Sequence, residues 1–379
     1  MLRTIVFTPA FVVAASLTCF AQSITLPPSG DNQGAEVIQQ IGLVRVSVEY
    51  HSPDVHAPNG DDRRGKIWGG LVPWGIHDLG FNNRKGPWRA GANENTVFSV
   101  SHDVQIEGKP LPAGRYGLHM LAGEKEWTVI FSKNSTSWGS FSYDAAEDAL
   151  RVAVKPEKAP YREWLAYDFI DRKTDRATVA LHWEELRVPF TITVPDMATL
   201  YIDNMRRELR NFPGFRWMEW RNAAQYCLQQ ERNLPEALTW AENAISMPGI
   251  GQANFSTLST KAQILDKLSR GAEAAAVMAT AIDLPGAQPI EIHQYGRQLL
   301  TQGKTKEALA VFQKNAKRFG DTWPVHVGLA RGFSAAGDYK TALKHAEIAL
   351  TQAPDDLNRK SLTDAVAKLK QGQDMNPPR

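Results

Sequence analysis

The chain has 379 residues, and its 43 Lys and Arg nearly balance 41 Asp and Glu, for a formal net charge of +2. That balance removes any electrostatic case for nucleic acid as a partner. Two cysteines, Cys19 and Cys227, bound the disulfide content, and the length is enough for two domains with cores of their own.

The N-terminus sets the expected compartment. Arg3 precedes an apolar run from Ile5 to Phe20, and small residues Cys19 and Ala21 stand where a signal peptidase reads. Residues 1–21 read as a cleaved secretory signal, which places the mature protein in the periplasm or outside the cell. The run is shorter than the ~20 apolar residues a span needs, and Thr8, Pro9, Ser16 and Thr18 interrupt it, so the protein is not expected to cross a membrane. Cleavage removes Cys19 and leaves Cys227 alone, with apolar neighbours at helical spacing. That is the setting of a buried filler rather than a nucleophile.

Residues 22–42 read as a linker. From 43 to 195 the pattern alternates with period two. Val44, Val46, Val48 and Tyr50 share one face of a strand, and Trp127, Val129 and Phe131 share another. Leu150 to Val154, Leu165 to Phe169, Val179 to Trp183 and Val188 to Val194 repeat the pattern. Turn signals at 107–109, 112–114 and 122–124 separate several of the strands. Eight or nine short strands with no helical period between them predict an antiparallel β-sandwich, with a closed barrel as the alternative.

After Pro195 the period becomes 3.6. Ala237, Ala274, Ala308 and Ala342 recur at intervals of 37, 34 and 34, and Gly303 and Gly337 are again 34 apart. This is the tetratricopeptide period. Residues 323–354 are its best copy, with anchors at Leu329, Gly337, Tyr339, Ala342, Ala349 and Pro354. Residues 196–372 are therefore expected to form an α-helical tetratricopeptide-like solenoid of about four repeats, capped by a helix over 355–370. Residues 373–379 read as a disordered tail.

The segment from Val46 to Pro195 resembles a bacterial family known only as domain of unknown function 2911. The resemblance rests on Val48-Glu49-Tyr50 with Ser52-Pro53, Gly65-Lys66-Ile67-Trp68-Gly69 and Trp88-Arg89-Ala90-Gly91-Ala92-Asn93-Glu94. It continues through 108–116, 126–131, Trp138-Gly139 and Trp183-Glu184. It implies a boundary near Pro195 and a familiar tetratricopeptide tail, but no reaction. The longer polar loop from His56 to Arg64 departs from the family pattern.

Candidate sites follow. In the motif at 87–98, Pro87, Gly91 (as a positive-φ position) and Asn93 suit a tight loop. Arg89 and Glu94 are left over, either as a bidentate pair that locks the loop or as contacts to a ligand. Trp88, Arg89, Asn93, Glu94 and Trp138 are the expected ligand residues for a small molecule or glycan. His51, Asp54, His56, Asp61 and Asp62 have metal-ligand chemistry without zinc or Ca²⁺ spacing, and they read as a solvated loop. His119 and His182 read as surface or cleft histidines, and the adjacent Glu184 and Glu185 as pointing to opposite faces of a strand. On the inner helices of the repeats, Tyr226, Gln263, His293 and Arg331 are the expected contacts to a protein or peptide.

There is no Gly-x-Ser-x-Gly elbow, His-Glu-x-x-His, phosphate loop or dinucleotide fingerprint, so no cofactor is called for. The reading is a binding or scaffold protein. The alternative is an envelope enzyme, for example a glycan hydrolase, acting at the cleft of loop 87–95.

Overall fold

The computed structural model describes residues 32–80 and 84–377, so the expected signal segment 1–21 lies outside the described residues. The chain divides into two compact units between Met197 and Ala198.

The first unit is antiparallel throughout. One sheet has six strands in the order β1 (Gln33–Ile41), β2 (Val44–Ser52), β5 (Val97–Val100), β8 (Gly114–Leu121), β9 (Trp127–Ser132) and β10 (Asp148–Val154). A second has four, in the order β11 (Glu157–Arg172), β12 (Arg176–Thr193), β6 (Val104–Ile106) and β7 (Lys109–Leu111). A two-residue pair, β3 (His77–Asp78) and β4 (Lys85–Gly86), lies between β2 and β5 in sequence. Rings of the two large sheets meet: Phe98 and Phe131 lie 6.2 and 5.7 Å from Phe190, and Tyr50 lies 5.0 Å from Tyr167. Both sheets end in edge strands, so the architecture is a sandwich and not a closed barrel.

Two expectations about this unit are corrected. Residues 33–41, read as linker, are β1, paired along its length with β2. Its residues are mostly exposed and only Ile41 is buried, so it carries no apolar face to read. The segments at 179–183 and 188–194 are one 18-residue strand, β12, rather than two. Apart from Ala180 and Glu184, buried residues fall on odd positions up to Trp183 and on even ones from Val188. The phase changes at Glu184, which takes φ +53° and shifts the register against β11. A bulge, not a turn, accounts for the change of phase.

The second unit is helical: α1 (Met197–Glu208), α2 (Trp217–Gln230), α3 (Leu234–Ser246), α4 (Phe255–Lys267), α5 (Gly271–Asp283), α6 (Pro289–Thr301), α7 (Thr305–Phe319), α8 (Trp323–Ala335), α9 (Tyr339–Thr351) and α10 (Asp356–Lys370). Helices α2/α3, α4/α5, α6/α7 and α8/α9 pack as hairpins, and α10 packs on α9. The four periodic alanines are all buried at the hairpin contacts. Gly303 and Gly337 take φ +77° and +83° at their turns. One period earlier the same place is filled by Ser269 at φ +62°, which is why the second copy lacks the glycine signature. Phe312 of α7 is fully buried where Gly296 of α6 and Gly328 and Gly332 of α8 leave room; a Cβ on any of the three would come within 2.8 Å of the ring. Cys227 is buried in this unit, and burial pushes its thiol up to about 11, which makes it unreactive.

The expected disordered tail is also corrected through residue 377. Met375 is buried against α8 and α10, Ser334 donates to Asp374 at 2.6 Å, and Asn376 donates to the Arg331 carbonyl at 3.1 Å.

Candidate functional site

Loop 87–95 is anchored at its first residues. Trp88 exchanges both backbone hydrogen bonds with Met120, at 3.0 and 2.8 Å. Its ring joins Trp68, Trp127 and Trp183 in a cluster with centroids 5.2 to 6.3 Å apart. Trp88 is therefore part of the packed interior and not a platform. The left-handed positions are Ala90 (φ +54°) and Asn93 (φ +55°), and not Gly91 as expected. Gly91 is required by close approach instead, because a Cβ there would lie 2.6 Å from Thr96 Oγ1. The Ala90 carbonyl, turned inward, accepts from Tyr167 Oη at 2.8 Å and from Thr96 Oγ1 at 3.2 Å.

The expected Arg89–Glu94 pair does not form. Arg89 is half-buried, donates to the Asn93 carbonyl and stacks 5.0 Å over Phe141, so it ties the two ends of the loop together, and burial lowers its pKa. Glu94 turns outward to His51, with Oε2 at 3.1 Å from Nε2. Asn93 shares its amide with Asn32. Gly139 abuts the Arg89 guanidinium, and a Cβ there would come within 2.4 Å of it.

Glu94 and Trp138 do meet, across a cleft of about 600 Å³ on the solvent side of the six-stranded sheet. Strands β1 and β2 supply Glu36, Glu49 and His51, the end of the loop supplies Glu94 and Asn95, and residues 135–138 close it. Trp138 is 58% exposed there. Trp88 and Arg89 do not line this cleft.

His119, expected at the surface or in a cleft, is 1% exposed. Its Nδ1 lies 2.9 Å from Ser140 Oγ, and Tyr143 packs edge-on against the ring, so the segment after β9 covers the outer face of β8. Burial, with Arg89 nearby, pushes its pKa down to about 4. His182 keeps partial exposure and bonds the Pro160 carbonyl at 2.7 Å. The polar residues 51–62 divide among separate partners: His56 with Glu163, Asp62 with Arg64, and Asp61 with Asn59. Among the described residues no three His, Cys, Asp or Glu converge to hold a metal. Glu184 accepts the Gly65 amide and holds that turn.

In the helical unit the four expected contacts fall in different places. Tyr226 is half-buried against Tyr201 of α1. Gln263 bonds Ser259 and borders a recess of about 280 Å³ between α4, α5 and α6. His293 and Arg331 come together, on α6 and α8. His293 is buried against Phe312, and burial followed by Arg331 and Arg297 pushes its pKa down to about 3. Arg331 stands between two recesses, of about 620 and 290 Å³, both also bordered by Arg297 and Lys368.

No carboxylate lies within ion-pair distance of Arg331 among the described residues. It donates to Asn376 Oδ1 at 3.3 Å, and its Nε has no partner. Burial, with Arg297 next, lowers its pKa to about 10. Sequence reasoning missed Arg297 and Lys368. The repeat itself pointed to the first, because Gln263, Arg297 and Arg331 follow one another at 34-residue intervals on successive inner helices.

Residues 32–192 match the family described as Protein of unknown function (DUF2911). No curated protein matches the chain. Two solved structures resemble the helical part. One is the C-terminal part of a TPR repeat-containing protein from Cytophaga hutchinsonii, with 15% identity, 46% of this chain and 66% of that one covered, and a TM-score of 0.35. The chain thus spans just under two thirds of that structure. The other is YrrB, described as a TPR protein with an unusual peptide-binding site, with 16% identity, coverage of 45% and 84%, and a TM-score of 0.30.

Proposed function

We propose that the chain works after export as a two-part binding protein: the helical hairpins hold an acidic segment of a protein partner, and the β unit holds a small ligand in the cleft beside Trp138. The observation that carries the first part is Arg331. The half-buried guanidinium has no carboxylate partner and an unpartnered Nε, and Arg297 beside it adds repulsion, so an anion between them would relieve both. Among the described residues Asp364 and Asp374 are the only carboxylates that line the two recesses, and Asp374 is already bonded to Ser334 and Asn376. Lys368 extends the positive lining toward the end of the groove. Binding is favoured over glycan hydrolysis at the β cleft because Glu36 and Glu49 each face an arginine, Arg45 and Arg115, which leaves Glu94 without a free carboxylate partner.

Calorimetric titration of the full chain with an octaglutamate peptide and with an octaglutamine peptide tests the first part. Octaglutamate is expected to bind, to weaken with added salt, and to lose at least ~30-fold in affinity in Arg331→Met, the cost of removing a desolvated charge contact. Equal binding of the neutral peptide, or an unchanged affinity in Arg331→Met, would overturn it.

A further inference from the structure

The β cleft shows an imbalance between hydrogen-bond donors and acceptors. Among the described residues its lining holds three carboxylates, the hydroxyl-bearing Tyr50, Ser135, Thr136 and Ser137, and no lysine or arginine. Glu36 and Glu49 are drawn to Arg45 and Arg115, at 3.3 and 3.0 Å, whereas Glu94 has only the His51 imidazole.

Two polar atoms beneath this lining are unsatisfied. Asn95 is 7% exposed; its Nδ2 donates to the Asn134 carbonyl at 3.1 Å, and its Oδ1 has no partner. In His51 the Nε2 faces the Glu94 carboxylate, so Nε2 carries the proton in the neutral ring and the buried, unpartnered Nδ1 is an acceptor. A buried acceptor left unmade costs ~1–3 kcal/mol, and both of these sit on residues that line one cleft. A cationic donor is what the lining lacks. Across from them Trp138, 58% exposed, offers an indole face, which attracts cations.

We infer that the cleft bounded by His51, Glu94, Asn95 and Trp138 binds a primary ammonium group on an apolar stem, the ammonium donating to Glu94 while the stem lies on Trp138. This deepens the cleft reading given under Proposed function and rests on it. Proton count supports a primary amine over a quaternary one: only the former brings N–H donors to the exposed Glu94 carboxylate. A sugar hydroxyl supplies donors as well, but without the charge that Glu94 and the indole face favour. A cleft of about 600 Å³ falls within the usual range for small ligands.

The test is a ligand-observed NMR titration of the full chain with n-butylammonium chloride, with n-butanol as its neutral counterpart, and with N-acetyl-lysine methylamide as the same ammonium on a peptide. Butylammonium is expected to bind at least ~10-fold more tightly than butanol, and to weaken ~10-fold in Trp138→Ala and in Glu94→Gln while Trp138→Phe retains most of the affinity. Tighter binding of the lysine derivative would mark a protein side chain as the natural source, and tighter binding of butylammonium a free amine. Equal binding of butanol and butylammonium would overturn the ammonium assignment and leave the cleft reading in place. Absence of binding by all three would remove both.

Discussion

Replacing Phe312 by alanine should lower the stability of the helical unit by about 3–5 kcal/mol, the range for emptying a fully buried aromatic site. The ring is 0% exposed and lies 5.8 Å from His293, tilted against it, with Leu299, Val325 and Leu329 in the same cluster. What makes the site unusual is that three glycines, Gly296, Gly328 and Gly332, form its walls. Neighbouring helices whose surfaces are backbone at the contact cannot close over a missing ring by turning side chains inward, so the cavity persists. A second consequence separates this account from a generic loss of packing. Gly296→Ala alone puts a Cβ 2.3 Å from the ring and should destabilise by overpacking, whereas in the Phe312→Ala background the same methyl enters vacant space. The double variant should therefore be no less stable than Phe312→Ala alone. Urea unfolding followed by far-UV circular dichroism measures all three, and additive losses would show that α6 and α7 do not meet at this ring.

The second large effect is acid sensitivity through histidines held neutral by burial. His119 sits at about 4 and His293 at about 3, against an ordinary 6.5. A depressed folded-state pKa means that the unfolded chain binds more protons, so stability is full above pH 6.5 and falls as pH drops toward the folded values. For His119 the loss is on the order of 3 kcal/mol by about pH 4, and for His293 somewhat more. The exposed carboxylates with depressed values, Asp62 and Glu163 at about 2, contribute only below their ordinary values of 3.8 and 4.5, so the interval from about pH 6.5 to about pH 4.5 reports the histidines without them. His119→Asn, whose amide takes the place of Nδ1 and can still meet Ser140 Oγ, should remove the β unit's share of the slope between about pH 6.5 and about pH 4.5. A flat stability profile over that interval in the parent chain would contradict burial of neutral imidazole.

What could be read from the sequence follows from how locally each feature is encoded. Period two and period 3.6 report faces, so β2, β9, β12 and the hairpin alanines were legible: Val44, Val46 and Val48, or Ala308 and Ala342, repeat because one face of their element is buried. Edge strand β1 buries almost nothing and left no such trace. Even the phase change in β12 was visible as a switch from odd to even positions, although its cause, the left-handed Glu184, needs the third dimension.

The site was harder to read because its parts are covered or completed by segments distant in sequence. His119 looked outward-facing until Ser140 and Tyr143 closed over it. Trp88 joined three tryptophans from elsewhere in the chain, the nearest of them 20 residues away. Glu94 found His51 rather than its near neighbour Arg89. Arg297 is the instructive miss, because the 34-residue period that located Arg331 on an inner helix applies equally to the residue one repeat before it.

The unfolding free energy of Arg331→Met in the absence of any partner tests most directly whether Arg331 is retained for an anion that the fold itself does not supply. An uncompensated half-buried guanidinium replaced by an apolar chain of similar length removes a desolvation cost and one bond to Asn376, so the variant is expected to be as stable as the parent or more stable, by up to ~2 kcal/mol. A loss of ~3–5 kcal/mol, the cost of breaking a satisfied buried ion pair, would show that the fold already holds the countercharge and would contradict the claim.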